Sequence, residues 1–149
     1  MSIPNPNLFA LAALGGALAL GGCQQPHSHE HVTGTWEGTG HTINSSGRSH
    51  TNKYLVLEVD EQGLINGTSG WKLIEGPGGH DGDTPSTQSE ETVVGTFVPA
   101  TGEIHLVETE ENGYLHGTLL DQQRIRMVLV QSGEKHVAST FILTKVEED

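Results

Sequence analysis

A chain of 149 residues has room for one domain with a modest hydrophobic core, and its single cysteine excludes any intrachain disulfide. With 19 acidic and 7 basic side chains the formal net charge is -12, a surface that repels nucleic-acid phosphates and anionic lipid headgroups and argues against a nucleic-acid partner. The 20 glycines and only 5% aromatics suit short strands and tight turns better than long packed helices.

The first 22 residues hold no Lys, Arg, Asp or Glu, and Leu8 to Leu20 is an unbroken run of apolar or small residues. That run is too short to span a bilayer and has the length of a signal-peptide core. It ends in Leu20-Gly21-Gly22-Cys23, which resembles, position by position, the lipobox of bacterial lipoproteins: an aliphatic residue, two small residues and the cysteine that receives diacylglycerol. The resemblance implies a signal peptide over residues 1–22, lipidation of Cys23 and acyl chains that hold the protein to a membrane of the cell envelope. Gln24 after the cysteine, rather than Asp, implies outer-membrane sorting if the cell is Gram-negative.

Residues 23–31 form a short polar tether reading Cys-Gln-Gln-Pro-His-Ser-His-Glu-His. His27, His29 and His31 alternate, with Glu30 among them, and imidazoles on a flexible segment can gather around Zn, Cu or Ni. In an extended chain next-nearest side chains stand roughly 6.5 Å apart, so one metal requires the chain to reverse. A polar spacer and a metal-binding segment are both open readings here.

From residue 32 to 149 no ten-residue stretch sustains a helical apolar stripe, whereas alternating or β-branched runs recur between Gly, Pro, Asn and Asp. Eight strands are predicted: Val32 to Ile43, Lys53 to Asp60, Leu64 to Ile74, Glu91 to Pro99, Glu103 to Glu110, Tyr114 to Asp121, Arg124 to Gln131 and His136 to Val146. Alternation places Leu55, Leu57 and Val59 on one face, and Ile125, Met127 and Leu129 on another, as core. Most links are short, so the strands form an up-and-down antiparallel meander. Closing it gives an eight-stranded β-barrel without free edges, with a β-sandwich as the alternative.

Asn112-Gly113 is the strongest turn signal, because both central residues of a type I′ turn need positive φ. A two-residue turn there pairs Thr109 with His116 and puts Ile104, Leu106, Leu115 and Leu119 together on one face. It also holds His105 and His116 four positions apart, about 13 Å, too far to share a metal. Gly-Thr recurs at Gly34, Gly38, Gly67, Gly95 and Gly117, where glycine marks a bend or bulge of the kind a tightly curved barrel needs. The long link from Glu75 to Glu90 carries His80, Asp81 and Asp83, side chains able to ligate a cation, in what is otherwise a surface loop.

Gly34-Thr35-Trp36 resembles the Gly-x-Trp opening of the lipocalin and avidin superfamily, and Ser139 to Val146 is similar to the last strand of streptavidin-like chains. The resemblance implies a barrel with Trp36 as the plug of one end and Lys145 close to the position of the basic residue that covers it. It does not carry over biotin binding. Gly38 stands where avidins have a ligand-contacting Asn, and Trp36 and Trp71 are too few for a tryptophan box.

The chain holds no Gly-x-Ser-x-Gly elbow, no His-Glu-x-x-His and no phosphate loop, so an enzyme would have to rely on an unmarked pair such as His41 with Glu37. The expectation is a lipid-anchored, non-enzymatic module for a small molecule. The alternatives are an extracytoplasmic Zn or Cu protein using the tether histidines, and a structural or interaction protein.

Overall fold

A computed structural model describes residues 27–79 and 85–147, so the signal and lipobox through Cys23, and His80, Asp81 and Asp83, lie outside the described residues. The described chain is a four-residue helix α1 (His29–Val32) followed by eight strands: β1 (Gly34–Asn44), β2 (Gly47–Val59), β3 (Leu64–Glu75), β4 (Gln88–Val98), β5 (Glu103–Glu108), β6 (Gly113–Asp121), β7 (Arg124–Gln131) and β8 (Val137–Lys145). Every neighbour in sequence is a neighbour in the sheet, and β1 returns to pair with β8, from Trp36↔Lys145 to Asn44↔Val137. This is the closed antiparallel up-and-down barrel expected, and the closure excludes a sandwich. No helix among the described residues is long and apolar enough to cross a membrane.

Two local expectations change. The second strand begins at Gly47, not Lys53, because Ser45-Ser46 and a positive φ at Gly47 turn the chain straight after Asn44. The Asn112-Gly113 turn does not form: neither residue has positive φ, and β5 is joined to β6 by residues 109–112. The register therefore slips by four, pairing His105 directly with His116 and Leu106 with Leu115. An even slip leaves every side chain on its face, so Ile104, Leu106, Leu115 and Leu119 are still buried together.

Period-2 alternation fills the inside. Leu55, Leu57, Ile65, Val93, Phe97, Ile104, Leu106, Ile125, Met127 and Leu143 are all buried, with Val59 packed against them. The recurrent glycines serve close approach rather than bulges, which lie instead at His50/Thr51 and between Leu119 and Asp121. At Gly38 an added Cβ would fall on the backbone carbonyl of Ile142 across the β1–β8 seam. A methyl group there would have to push two paired strands apart.

Trp36 sets the closed end. It is fully buried, and its indole Nε1 donates to the Val32 carbonyl at 2.8 Å, tying α1 across the barrel mouth. Lys145 Nζ lies 5.4 Å from the indole centroid and donates to the carbonyls of Glu30 (2.9 Å) and His31 (3.2 Å). One cation thus answers the ring face and two carbonyls of the short helix that would otherwise lack partners in it.

Gly38→Ala should lower stability by roughly 1–3 kcal/mol, the usual cost of forcing volume into a packed site, and Trp36→Ala by about 3–5 kcal/mol. Urea unfolding checks both, with the midpoint falling and the slope unchanged.

Candidate functional site

The same inward phase that begins with Leu57 and Leu55 continues through Lys53, Thr51 and Ser49, so the barrel interior turns polar toward the end opposite Trp36. Lys53 is only 6% exposed. Its Nζ lies 5.4 Å from the Phe141 ring centroid and 6.0 Å from that of Trp71, its cross-strand partner on β3. From the far wall come Glu91, in phase with Val93 on β4, and Glu108, in phase with Leu106 on β5; Glu111 follows in the next loop. One carboxylate oxygen of each lies within 4.8 Å of the others.

These groups line a cavity of about 80 Å³ opening at this end of the barrel, together with Ser49, Thr51, Ser69, Gln131 and the rings of Trp71 and Phe141. That is room for a handful of waters or a compact polar head group. Residues Gly78 and Gly79 fold back along its rim, where the Asn44 side chain donates to the Gly78 carbonyl (2.9 Å) and the Gly78 N–H donates to Ser49 Oγ (3.2 Å).

The electrostatics are mutually strained. Burial pushes the Lys53 ammonium down to about 8, against the attraction of Glu108. Burial, then the like charges of Glu91 and Glu111, push the Glu108 carboxyl up to about 7, again partly offset by Lys53. Burial, then the like charges of Glu111 and Glu110, push the Glu91 carboxyl up as well. Glu111 accepts from the Gln131 amide and lies 3.7 Å from Lys135 Nζ. By contrast, Glu91 Oε2 and Glu108 Oε2 are buried and have no hydrogen-bond partner among the described residues. Two unpartnered acceptors beside an ammonium held between aromatic faces are polar groups that the fold itself leaves unsatisfied.

The residues singled out from the sequence sit elsewhere. Trp36 is at the closed end. His27, His29, Glu30 and His31 lie outside that end and turn to separate neighbours. The His27 N–H donates to Pro99 and its ring lies beside Gly102, while the His29 ring meets Phe97 edge-on at 5.9 Å. His31 Nδ1 accepts from the Ser28 N–H at 3.2 Å. None of these four joins a group of three or more converging ligand atoms among the described residues. His41 stacks on His50 outside the barrel.

The cavity residues were missed, although the alternation already in use for Leu55 and Leu57 reaches Lys53 two positions earlier, and that for Leu106 reaches Glu108. Alternation assigns only a face, and a charged side chain on the inward face runs against the rule that charges stay in water.

No protein-family model matches the chain, and no curated protein sequence matches it. Among solved structures, EF1p2_mFAP2b bound to DFHBI superposes with a TM-score of 0.56 at 11% identity, covering 83% of this chain and 100% of that one. A protein with unknown function of the DUF3598 family from Nostoc punctiforme superposes at 0.51 with 13% identity, covering 83% of this chain and 50% of that one. The odorant-binding protein OBP1 superposes at 0.46 with 16% identity, covering 85% and 79%. The likeness to the first two, at these identities, shows the barrel fold.

The two buried titrating groups give opposite pH signatures. The folded value of Glu108, near 7 against 4.5 for the ordinary group, favours the folded state below pH 4.5, and this contribution is lost as pH rises to 7. Lys53, near 8 against 10.5, penalises the folded state below pH 8, and the penalty is relieved as pH rises to 10.5. Denaturant unfolding should show Glu108→Gln gaining on the parent protein from pH 4.5 to 7, and Lys53→Met losing its advantage from pH 8 to 10.5. Parallel profiles would contradict both assignments.

Proposed function

We propose that this protein is a lipid-anchored binding module of the cell envelope, whose barrel takes the amine head of a small organic molecule through the end opposite Trp36. The observation that carries the binding reading is the pair of buried, unpartnered oxygens, Glu91 Oε2 and Glu108 Oε2, on two residues that line a cavity walled by Trp71 and Phe141. A ligand ammonium supplies the donors these oxygens lack, and its positive charge favours the ionised form of Glu108 that the like charges oppose. The aromatic walls accept the adjoining apolar part and the face of a cation alike. The fold supports the reading too, since an eight-stranded barrel plugged at one end leaves room for one small ligand at the other. The anchor is supported by the match of Leu20 to Cys23 to a lipobox, and it would hold an acidic domain at a surface to which its own charge does not draw it.

Trp71 lines the cavity and Trp36 is buried at the far end, so the two tryptophans are a reporter and a reference. Titration with benzylamine should shift Trp71 emission saturably, and matched benzoate should not. The response should vanish in Trp71→Phe and persist in Trp36→Phe. Glu108→Gln should weaken benzylamine binding about tenfold or more, the scale of a lost charged hydrogen bond. An emission unmoved by either compound would overturn the cavity as the binding site.

A further inference from the structure

The four-residue slip between β5 and β6 has a chemical result on the outer wall. It places His105 directly across from His116, with their rings stacked at 5.0 Å and 17°, and Glu103 two residues before His105 on the same face. One ligand atom from each of the three lies within 4.8 Å of the others, and His116 Nε2 is already 3.7 Å from Glu103 Oε1. We propose that Glu103, His105 and His116 form a surface binding site for Zn²⁺. This site is separate from the barrel cavity and stands whether or not that cavity binds an amine.

The donor set is the first argument. Two imidazoles and one carboxylate, with a fourth position left to water, are a zinc coordination set. Bonds of about 2.0–2.1 Å to a tetrahedral ion put ligand atoms about 3.3 Å apart, so closure asks each to move by no more than about 1.5 Å. Stacked rings hold their in-plane lone pairs side by side, so the ion must tilt the two rings toward each other. These are side-chain rotations on strands that the ladder keeps fixed.

The supports behind the ligands are the second. The Tyr114 hydroxyl lies 2.6 Å from His105 Nδ1, and with Nδ1–H donating to it the tautomer leaves the Nε2 lone pair for a metal. Thr101 Oγ1 donates to Glu103 Oε2 at 2.9 Å, leaving Oε1 toward His116. Outer partners that fix the tautomer of a histidine and the turn of a carboxylate are what a metal site needs and what a chance surface cluster lacks.

The molecule also holds its own control. His41 and His50 are a second directly paired, stacked couple, at 4.9 Å and 26°, in the same cross-strand row around the barrel. No third ligand atom converges on them among the described residues. A two-nitrogen site binds more weakly than one with an added carboxylate.

The test is calorimetric titration of Zn²⁺ into the full chain in detergent, carrying His27→Ala, His29→Ala and His31→Ala so that the tether is silent. One Zn²⁺ per chain should bind. Binding should be lost with His105→Ala plus His116→Ala, kept with His41→Ala plus His50→Ala, and weakened about tenfold by Tyr114→Phe. These side chains face outward, and unchanged melting temperatures confirm that the variants fold. Zn²⁺ binding that survives the loss of His105 and His116, or no binding at all in the tether-silent chain, would overturn the proposal.

Discussion

An eight-stranded barrel is only wide enough for one packed layer of side chains across its bore, so what fills one end decides what the other can hold. Here that filling is Trp36, buried at the start of β1, held by its indole N–H to Val32 and covered by Lys145 from the end of β8. Since β1 and β8 are the seam of the barrel, the same residues close the wall and plug the mouth. The apolar layers of Leu57, Ile65, Ile104, Ile125 and Leu143 stack onto that plug. Hydrophobic burial is concentrated there, and the opposite half is free to be polar.

That freedom is used in a costly way. In a space of about 80 Å³ burial works against the charged forms of Lys53, Glu91 and Glu108, and Lys53 offsets only part of what pushes the Glu108 carboxyl up. A hydrophobic filling of similar volume would be at least as stable. Stability alone therefore gives no reason for these residues, whereas a ligand that brings hydrogen-bond donors does. The rim made by Gly78 and Gly79 is held by a hydrogen bond from Asn44, one to Ser49 and one from the Gly79 N–H to the Ser86 carbonyl (2.8 Å).

Fold and faces were legible in the sequence because period-2 alternation is a local property. Ile125, Met127 and Leu129 announced their burial without knowledge of any partner strand, and Arg124 to Gln131 has the bounds expected of it. Cross-strand partners are not local. The choice between a two-residue and a four-residue link at Asn112 is a matter of backbone φ, and it moved His116 from beside Thr109 to beside His105 while leaving every buried residue buried. The candidate metal ligands on the outer wall were thus invisible for a definite reason. The cavity is hidden differently: Lys53 and Glu108 obey the alternation, but a charged residue on an inward face carries no local signal that a cavity waits for it.

The central claim, that the polar end of the barrel is a ligand site, is tested most directly by native mass spectrometry of the full chain purified untagged from its parent cells in detergent. The account predicts a stoichiometric organic adduct on the polypeptide, lost in the Glu108→Gln protein and retained when His105 and His116 are replaced by Ala. An adduct indifferent to Glu108, or a chain without any such adduct, would contradict it.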